Sequence, residues 1–135
     1  MLSFQNPNVF IIHKNNDINS LLAGTFWLKG FQPFKFTEGK EGLKKLRELD
    51  GQVDAVVISH EIALDNDIML IVNIKRINPD TKVIVISEKE LAQTNLYEYG
   101  ADEIVLIPSS PTDISDKILL LISRHNVQNQ KNDLV

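Results

Sequence analysis

The stretch Val53-Asp54-Ala55-Val56-Val57-Ile58-Ser59 constrains this chain more than any other part of it. Four consecutive apolar residues, three of them β-branched, stand between polar positions and suit a strand buried on both faces of a parallel sheet. Such a strand needs helices above and below it. In open α/β sheets ligands and chemistry gather beyond the carboxyl ends of the strands, so Ser59 and His60, with the loop running on to Asp67, stand where a reactive group is expected.

The segments on either side repeat the theme. Asn8 to His13 reads as a first strand, followed by the polar turn Lys14-Asn15-Asn16-Asp17, in which Asp17 or Asn16 is placed to cap a helix. Leu21, Leu22 and Phe26 share one face of that helix, Trp27 lies off the stripe, and Gly30 supplies a stop. Phe31 to Thr37 alternates, with Phe34 and Phe36 on one side. Pro33 cannot donate a ladder hydrogen bond, which puts this second strand at a sheet edge or Pro33 near the strand's start. Glu38 to Leu49 is an amphipathic helix with Leu43, Leu46 and Leu49 inward and Lys44, Lys45, Arg47 and Glu48 in solvent.

Beyond Ser59, Asp65-Asn66-Asp67 can cap a third helix from about Ile68 to Ile77. Met69, Leu70, Ile71, Val72, Ile74 and Ile77 make it apolar almost all round, with Asn73, Lys75 and Arg76 as a polar rim, so it is well covered or meets a partner. Lys82 to Ser87 is a second fully buried strand. Glu88 to Tyr99 reads as a helix closed by Gly100, and Asp102 to Ile107 as a fifth strand. Pro108-Ser-Ser-Pro111 turns the chain into a last helix, with Pro111, Thr112 and Asp113 suited to its first turn. After His125 the composition is polar and uncapped. This divides the chain into a domain over 1–125 and a disordered tail or linker stub over 126–135.

Composition narrows the function. At 135 residues, 43% hydrophobic and 24% charged, the chain suits one domain with a real core. Its net charge of −4 argues against a general binder of the phosphate backbone, so nucleic acid is not expected as a direct partner. The lack of cysteine excludes disulfides, thiolate catalysis and cysteine-ligated zinc. With no basic-then-apolar leader near Met1 and no run of about 18 apolar residues, no membrane span is expected and a soluble cytoplasmic protein is.

Five strands alternating with five helices give a doubly wound (βα)5 three-layer sandwich, flavodoxin-like in outline, with right-handed crossovers and strand order 2-1-3-4-5. That order brings His13, Lys14, Ser59 and His60 together at one carboxyl edge, with Ser87 and Ile107 nearby. Over roughly residues 8 to 125 the chain resembles the CheY-like receiver domain of two-component response regulators. The local matches are Val53 to Ser59, Val83 to Ser87 and Gly100-Ala-Asp-Glu-Ile-Val-Leu-Ile-Pro108, the last similar to the family's Gly-Ala-Asp-Asp-(aromatic)-x-x-Lys-Pro segment.

The resemblance implies an acidic pair after the first strand for magnesium, an aspartate phosphoacceptor ending the third, Ser or Thr ending the fourth and Lys ending the fifth. Here those places hold His13 and Lys14, then Ser59, Ser87 and Ile107, and only Ser87 keeps the family's chemistry. Phosphoryl transfer in such a site works by placing a carboxylate beside a divalent cation and counter-charges. A serine makes no acyl phosphate, and Lys14 puts positive charge where the metal belongs. The expectation is a degenerate, phosphorylation-independent pseudo-receiver, not an enzyme, with no cofactor and no resident metal.

The remaining readings compete with this one. The Lys14 ammonium can take the cation's place and pair with Asp17 or Glu61. His13 and His60, with Glu61 or Asp17, can form a metal site, although two histidines without a fixed ligand motif more often serve as hydrogen-bonded loop residues. Ser59 beside His60 lacks the glycines of a nucleophile elbow. The sequence has neither a flavin phosphate cradle nor a Gly-x-Gly-x-x-Gly turn, yet a flavodoxin-like binder of a small molecule or metal at the carboxyl edge stays open, as does serine phosphorylation at Ser59 or Ser87. With the edge disarmed, the resemblance moves function to the fourth helix, fifth strand and fifth helix, where a protein partner or a second copy would dock. Ile104 stands where the family has its aromatic switch. Leu119 and Leu120 fall outside the inward stripe of Ile114, Ile118, Leu121 and Ile122.

Overall fold

Alternation along the strands divides the apolar residues between two cores. Phe10, Ile12, Val56, Ile58, Val83 and Val85 face one side of the sheet, and Val9, Ile11, Ala55, Val57, Ile84 and Ile86 face the other, all of them buried. The computed structural model describes residues 6–65, 69–88, 95–107 and 109–133. In chain order it holds β1 (Asn8–Ile12), α1 (Asn16–Leu28), β2 (Gln32–Phe36), α2 (Gly39–Glu48), β3 (Ala55–Ser59) and α3 (His60–Ala63). There follow α4 (Leu70–Ile77), β4 (Lys82–Ser87), α5 (Leu96–Tyr99), β5 (Glu103–Leu106) and α6 (Pro111–Asp133). All four strand pairings are parallel and the order is β2-β1-β3-β4-β5, the doubly wound topology expected from the alternation. Residues of α1 and α6 cover one face, and residues of α2 to α5 cover the other.

Local chemistry explains the element ends. Gln32 N–H reaches inward to Pro7 O (2.8 Å), so the alternation of the strand turns the donor-less nitrogen of Pro33 toward the open edge, where nothing asks it to donate. On the face of α2, Phe10 meets Phe34 and Phe36 with ring centroids 5.3 and 4.8 Å apart. Gly42 lies buried on α2 because a Cβ there would come 2.6 Å from Ile12 Cδ1. Gly100 closes α5 in the left-handed region (φ 119°).

Several expectations are corrected. Asn15, rather than Asn16 or Asp17, caps α1, accepting from the N–H groups of Asp17 (2.9 Å) and Ile18 (3.2 Å). The inward face of α1 is Asn19, Leu22 and Phe26. Leu21 is exposed, because 100° per residue carries it well off that line. Leu49 is only half-buried, since α2 ends before it. The loop expected after Ser59 contains the short helix α3. The next helix begins at Leu70 behind a left-handed Met69 (φ 48°), whose side chain is exposed, and Val72 is half-buried. Asn66, Asp67 and Ile68, expected to cap and open that helix, lie outside the described residues, as do residues 89–94 of the expected Glu88 to Tyr99 helix.

Lys75 is no solvated rim residue. Its ammonium donates to Asp102 Oδ2 (2.8 Å) and Thr81 O (2.7 Å), and Asp102 Oδ2 also accepts from Val83 N–H (2.8 Å). Helix α6 runs on to Asp133, into the segment expected as a polar tail or linker stub, and no Gly or Pro follows Pro111 to stop it. Among the described residues, no helix is long and apolar enough to cross a membrane.

Candidate functional site

The carboxyl edge is assembled from four strand ends. Register pairs Ile12 with Ile58, Ser59 with Ile86 and Ser87 with Leu106, so the residues that follow or end these strands abut: His13 after β1, Ser59 at the end of β3, Ser87 at the end of β4 and Ile107 after β5. The topology thus gathers the residues singled out from the sequence. The side chains of His13, Ser59 and Ile107 are occupied with structural tasks.

His13 belongs to a turn that is hydrogen-bonded throughout. Its N–H donates to Phe36 O (3.0 Å), and its Nδ1 accepts from Asn15 N–H (3.0 Å), which fixes that nitrogen as an unprotonated acceptor. Buried Asn19 donates through Nδ2 to His13 O (2.6 Å) and Phe36 O (3.2 Å), tying the ends of β1 and β2 to α1, while its Oδ1 has no partner among the described residues. Burial pushes the His13 imidazole below its ordinary pKa of 6.5. The carboxylates of Glu61 and Glu88 oppose that shift, and His60 reinforces it. Lys14 is exposed at the tip of this turn and makes no ion pair among the described residues, so the expected pairing with Asp17 or Glu61 is not formed.

Ser59 is 5% exposed, and its Oγ accepts from Ile62 N–H (3.4 Å) as the N-cap of α3. Serine suits this place because a strand passes there directly into a helix whose first donors need an acceptor. The next residue, His60, is already the first of that helix. Ser87 is fully buried, and its carbonyl accepts from Ile107 N–H (2.7 Å). Ile107 packs against the core shared with α1 and α6. Among the described residues no group of three or more His, Asp or Glu side chains is arranged to hold a metal ion, so His13 and His60 do not come together with Glu61 or Asp17 as ligands.

On the expected interaction face, Leu119 and Leu120 are exposed as anticipated. Tyr97 and Tyr99 of α5 and Leu106 of β5 add further exposed apolar surface, and Ile104 is half-buried against the core on the α4 side. A crevice of about 480 Å³ lies at the opposite, amino edge, lined among others by Asn8, Gln52, Asp54, Lys82 and Ile122. Its Asp54 carboxylate is taken up by Asn8 N–H (2.9 Å). Sequence reasoning missed Asn15 and Asn19. The signal for Asn19 was a polar residue on the apolar line of Leu22 and Phe26.

Comparison with known proteins gives the fold a context. No family model matches the chain, and no curated protein matches it. Solved structures do. A CheY-like response regulator receiver domain from Methanospirillum hungatei superimposes with a TM-score of 0.77 at 16% identity, covering 91% of this chain and 98% of that one. An orphan response regulator of H. pylori gives 0.73 at 21% identity, over 87% of this chain and 98% of its own. A response regulator from Burkholderia pseudomallei, determined with a phosphorylated aspartic acid, a calcium ion and citrate, gives 0.72 at 19% identity, over 92% and 73%. What these proteins share with the chain is the receiver fold.

Proposed function

We propose that this chain is a receiver-like signalling module that works without phosphorylation and acts by protein contact through α5, β5 and α6. The observation that carries the reading is the Ser59 hydroxyl. The phosphoacceptor position of the receiver pattern holds a buried serine already engaged as a helix cap. An acyl phosphate needs a carboxylate nucleophile, and a divalent cation at this edge needs oxygen ligands, whereas His13 and Lys14 offer an imidazole locked in a turn and an ammonium. Ile107 extends the apolar core where a lysine would hold a phosphate oxygen. The edge is built as fixed structure, and the exposed apolar side chains of α5, β5 and α6 supply a surface for a partner.

The test is chemical. Wild-type protein incubated with acetyl phosphate and magnesium keeps its intact mass, because the phosphoacceptor position offers a buried, capping serine in place of a carboxylate nucleophile. A stoichiometric gain of one phosphoryl group, mapped to Ser59 or Ser87, overturns the reading.

A further inference from the structure

Helix α1 carries a glycine that no contact among the described residues explains. A mid-helix glycine costs about 1 kcal/mol relative to alanine, so it is retained where a side chain would collide. Gly42 of α2 has that reason in Ile12. Gly24 of α1 has none. It is exposed, has no positive φ, and a Cβ built on it meets nothing within 4 Å.

The surroundings of Gly24 are apolar. At 3.6 residues per turn it sits in the middle of the outward face, with Leu21 and Leu28 on one flank and Ser20 and Trp27 on the other. Ser20 receives Lys35 of β2 (3.5 Å), which directs the Ser20 flank toward that edge and the Leu21–Leu28 flank toward α6, the neighbour of α1 on this face. On α6, Lys117 turns to Glu103 of β5 (4.0 Å), so Leu119, about 200° further round the helix, lies on the side of α1. Leu21, Trp27, Leu28, Leu119 and Leu120 are between 42% and 85% exposed across the two helices, with the exposed carboxylates of Asp17 and Asp116 beside them, each one turn from Leu21 or Leu120.

We propose that this surface is a homodimer interface in which the α1 helices of two copies cross antiparallel at Gly24. The inference rests on the reading that the chain acts by protein contact, and it adds a second copy as a partner on a different face, that of α1 and α6, which leaves α5 and β5 to another partner. The pattern is self-complementary. About a two-fold axis at Gly24, Leu21 stands three residues before the crossing and Trp27 and Leu28 three and four after it, so Leu21 of each copy meets Trp27 and Leu28 of the other. Glycine at the crossing lets the backbones approach. Covering the five side chains hides about 600 Å² per copy, or about 1,200 Å² for the pair, the lower end of what a specific dimer buries. Trp27 is the residue type that anchors such contacts.

Sedimentation velocity of the full chain, from micromolar to about millimolar, tests this with three variants whose folding is checked by circular dichroism. The wild type is dimeric. Gly24→Leu, a better helix former that fills the crossing, and Leu28→Glu each weaken dimerisation at least about tenfold, while Leu106→Lys on β5 leaves it unchanged. Gly24→Ala raises the thermal midpoint of the dilute monomer and still weakens the dimer, the opposite signs expected only if the space at Gly24 belongs to a partner. A monomeric wild type throughout overturns the inference and leaves a heterologous partner for the signalling reading. A dimer that survives Gly24→Leu, or one lost in Leu106→Lys, also overturns it, the latter moving self-association to the face of α5, β5 and α6.

Discussion

Single residues decide what the carboxyl edge can do. Ser59 caps α3 through Oγ, so Ser59→Ala should lower stability by about 1 kcal/mol, the usual worth of an N-cap. Ser59→Asp keeps a capping oxygen and should recover most of that loss in urea unfolding. No loss in Ser59→Ala would show that the cap does not hold α3. His13 sets the pH response of the same edge. Its folded pKa lies below the unfolded value of 6.5, so the unfolded chain binds the proton more tightly. The stability it contributes is complete above about pH 6.5 and is lost as pH falls through the folded value. Protonation also removes the acceptor that holds Asn15 N–H, loosening the cap of α1. Urea unfolding of wild type and His13→Gln at pH 7.5 and pH 5 should show the wild type losing more stability on acidification. Equal losses would remove His13 from the account.

At the scale of elements, the Lys75–Asp102 pair joins α4 to the start of β5, and Asp102 also holds the first turn of β4 through Val83 N–H. Both side chains are mostly buried, at 19% and 24% exposure, so breaking the pair leaves a charge poorly solvated. Asp102→Ala should cost about 3 kcal/mol, and Lys75→Met added to it should cost little more, since the two act as one unit. Strict additivity in a double-mutant cycle would contradict this. The same elements show what the sequence could disclose. Strands β3 and β4 were legible because unbroken branched runs have one economical home, the middle of a parallel sheet, and Pro33 disclosed the edge. Lys75 and Asp102 were not, since 27 positions separate them and a lysine on an apolar helix looks like a solvated rim. The capping role of Ser59 was hidden for a related reason: the helix it caps has only four residues, too few to show a period. Leu21 was misplaced because it adjoins Leu22, and only the packing on the sheet selects which of two neighbouring leucines goes inward.

For the whole molecule, the two cores share one sheet, so neither can be lost without exposing the inner face of the other. This is the arrangement that makes a domain of this size unfold as a unit. Among the residues whose burial is described, which reach Ser123, the members of both cores lie between Val9 and Ile122, and the last fully buried one on α6 is Ile118. Helix α6 nevertheless continues to Asp133, and the polar residues of that continuation match the segment set apart from the domain on composition. A chain ending at His125 should therefore keep one cooperative unfolding transition and lie within about 0.5 kcal/mol of the intact chain, the range of substitutions that touch no core feature. The comparison is best made in urea on dilute protein, because dimerisation would add concentration-dependent stability to either form. A broadened transition, or a loss of several kcal/mol, would mean that the continuation of α6 packs back on the domain and that the boundary lies beyond His125. An unchanged transition would leave that continuation free to serve a partner, as a rigid helical extension carried by a module whose own fold does not need it.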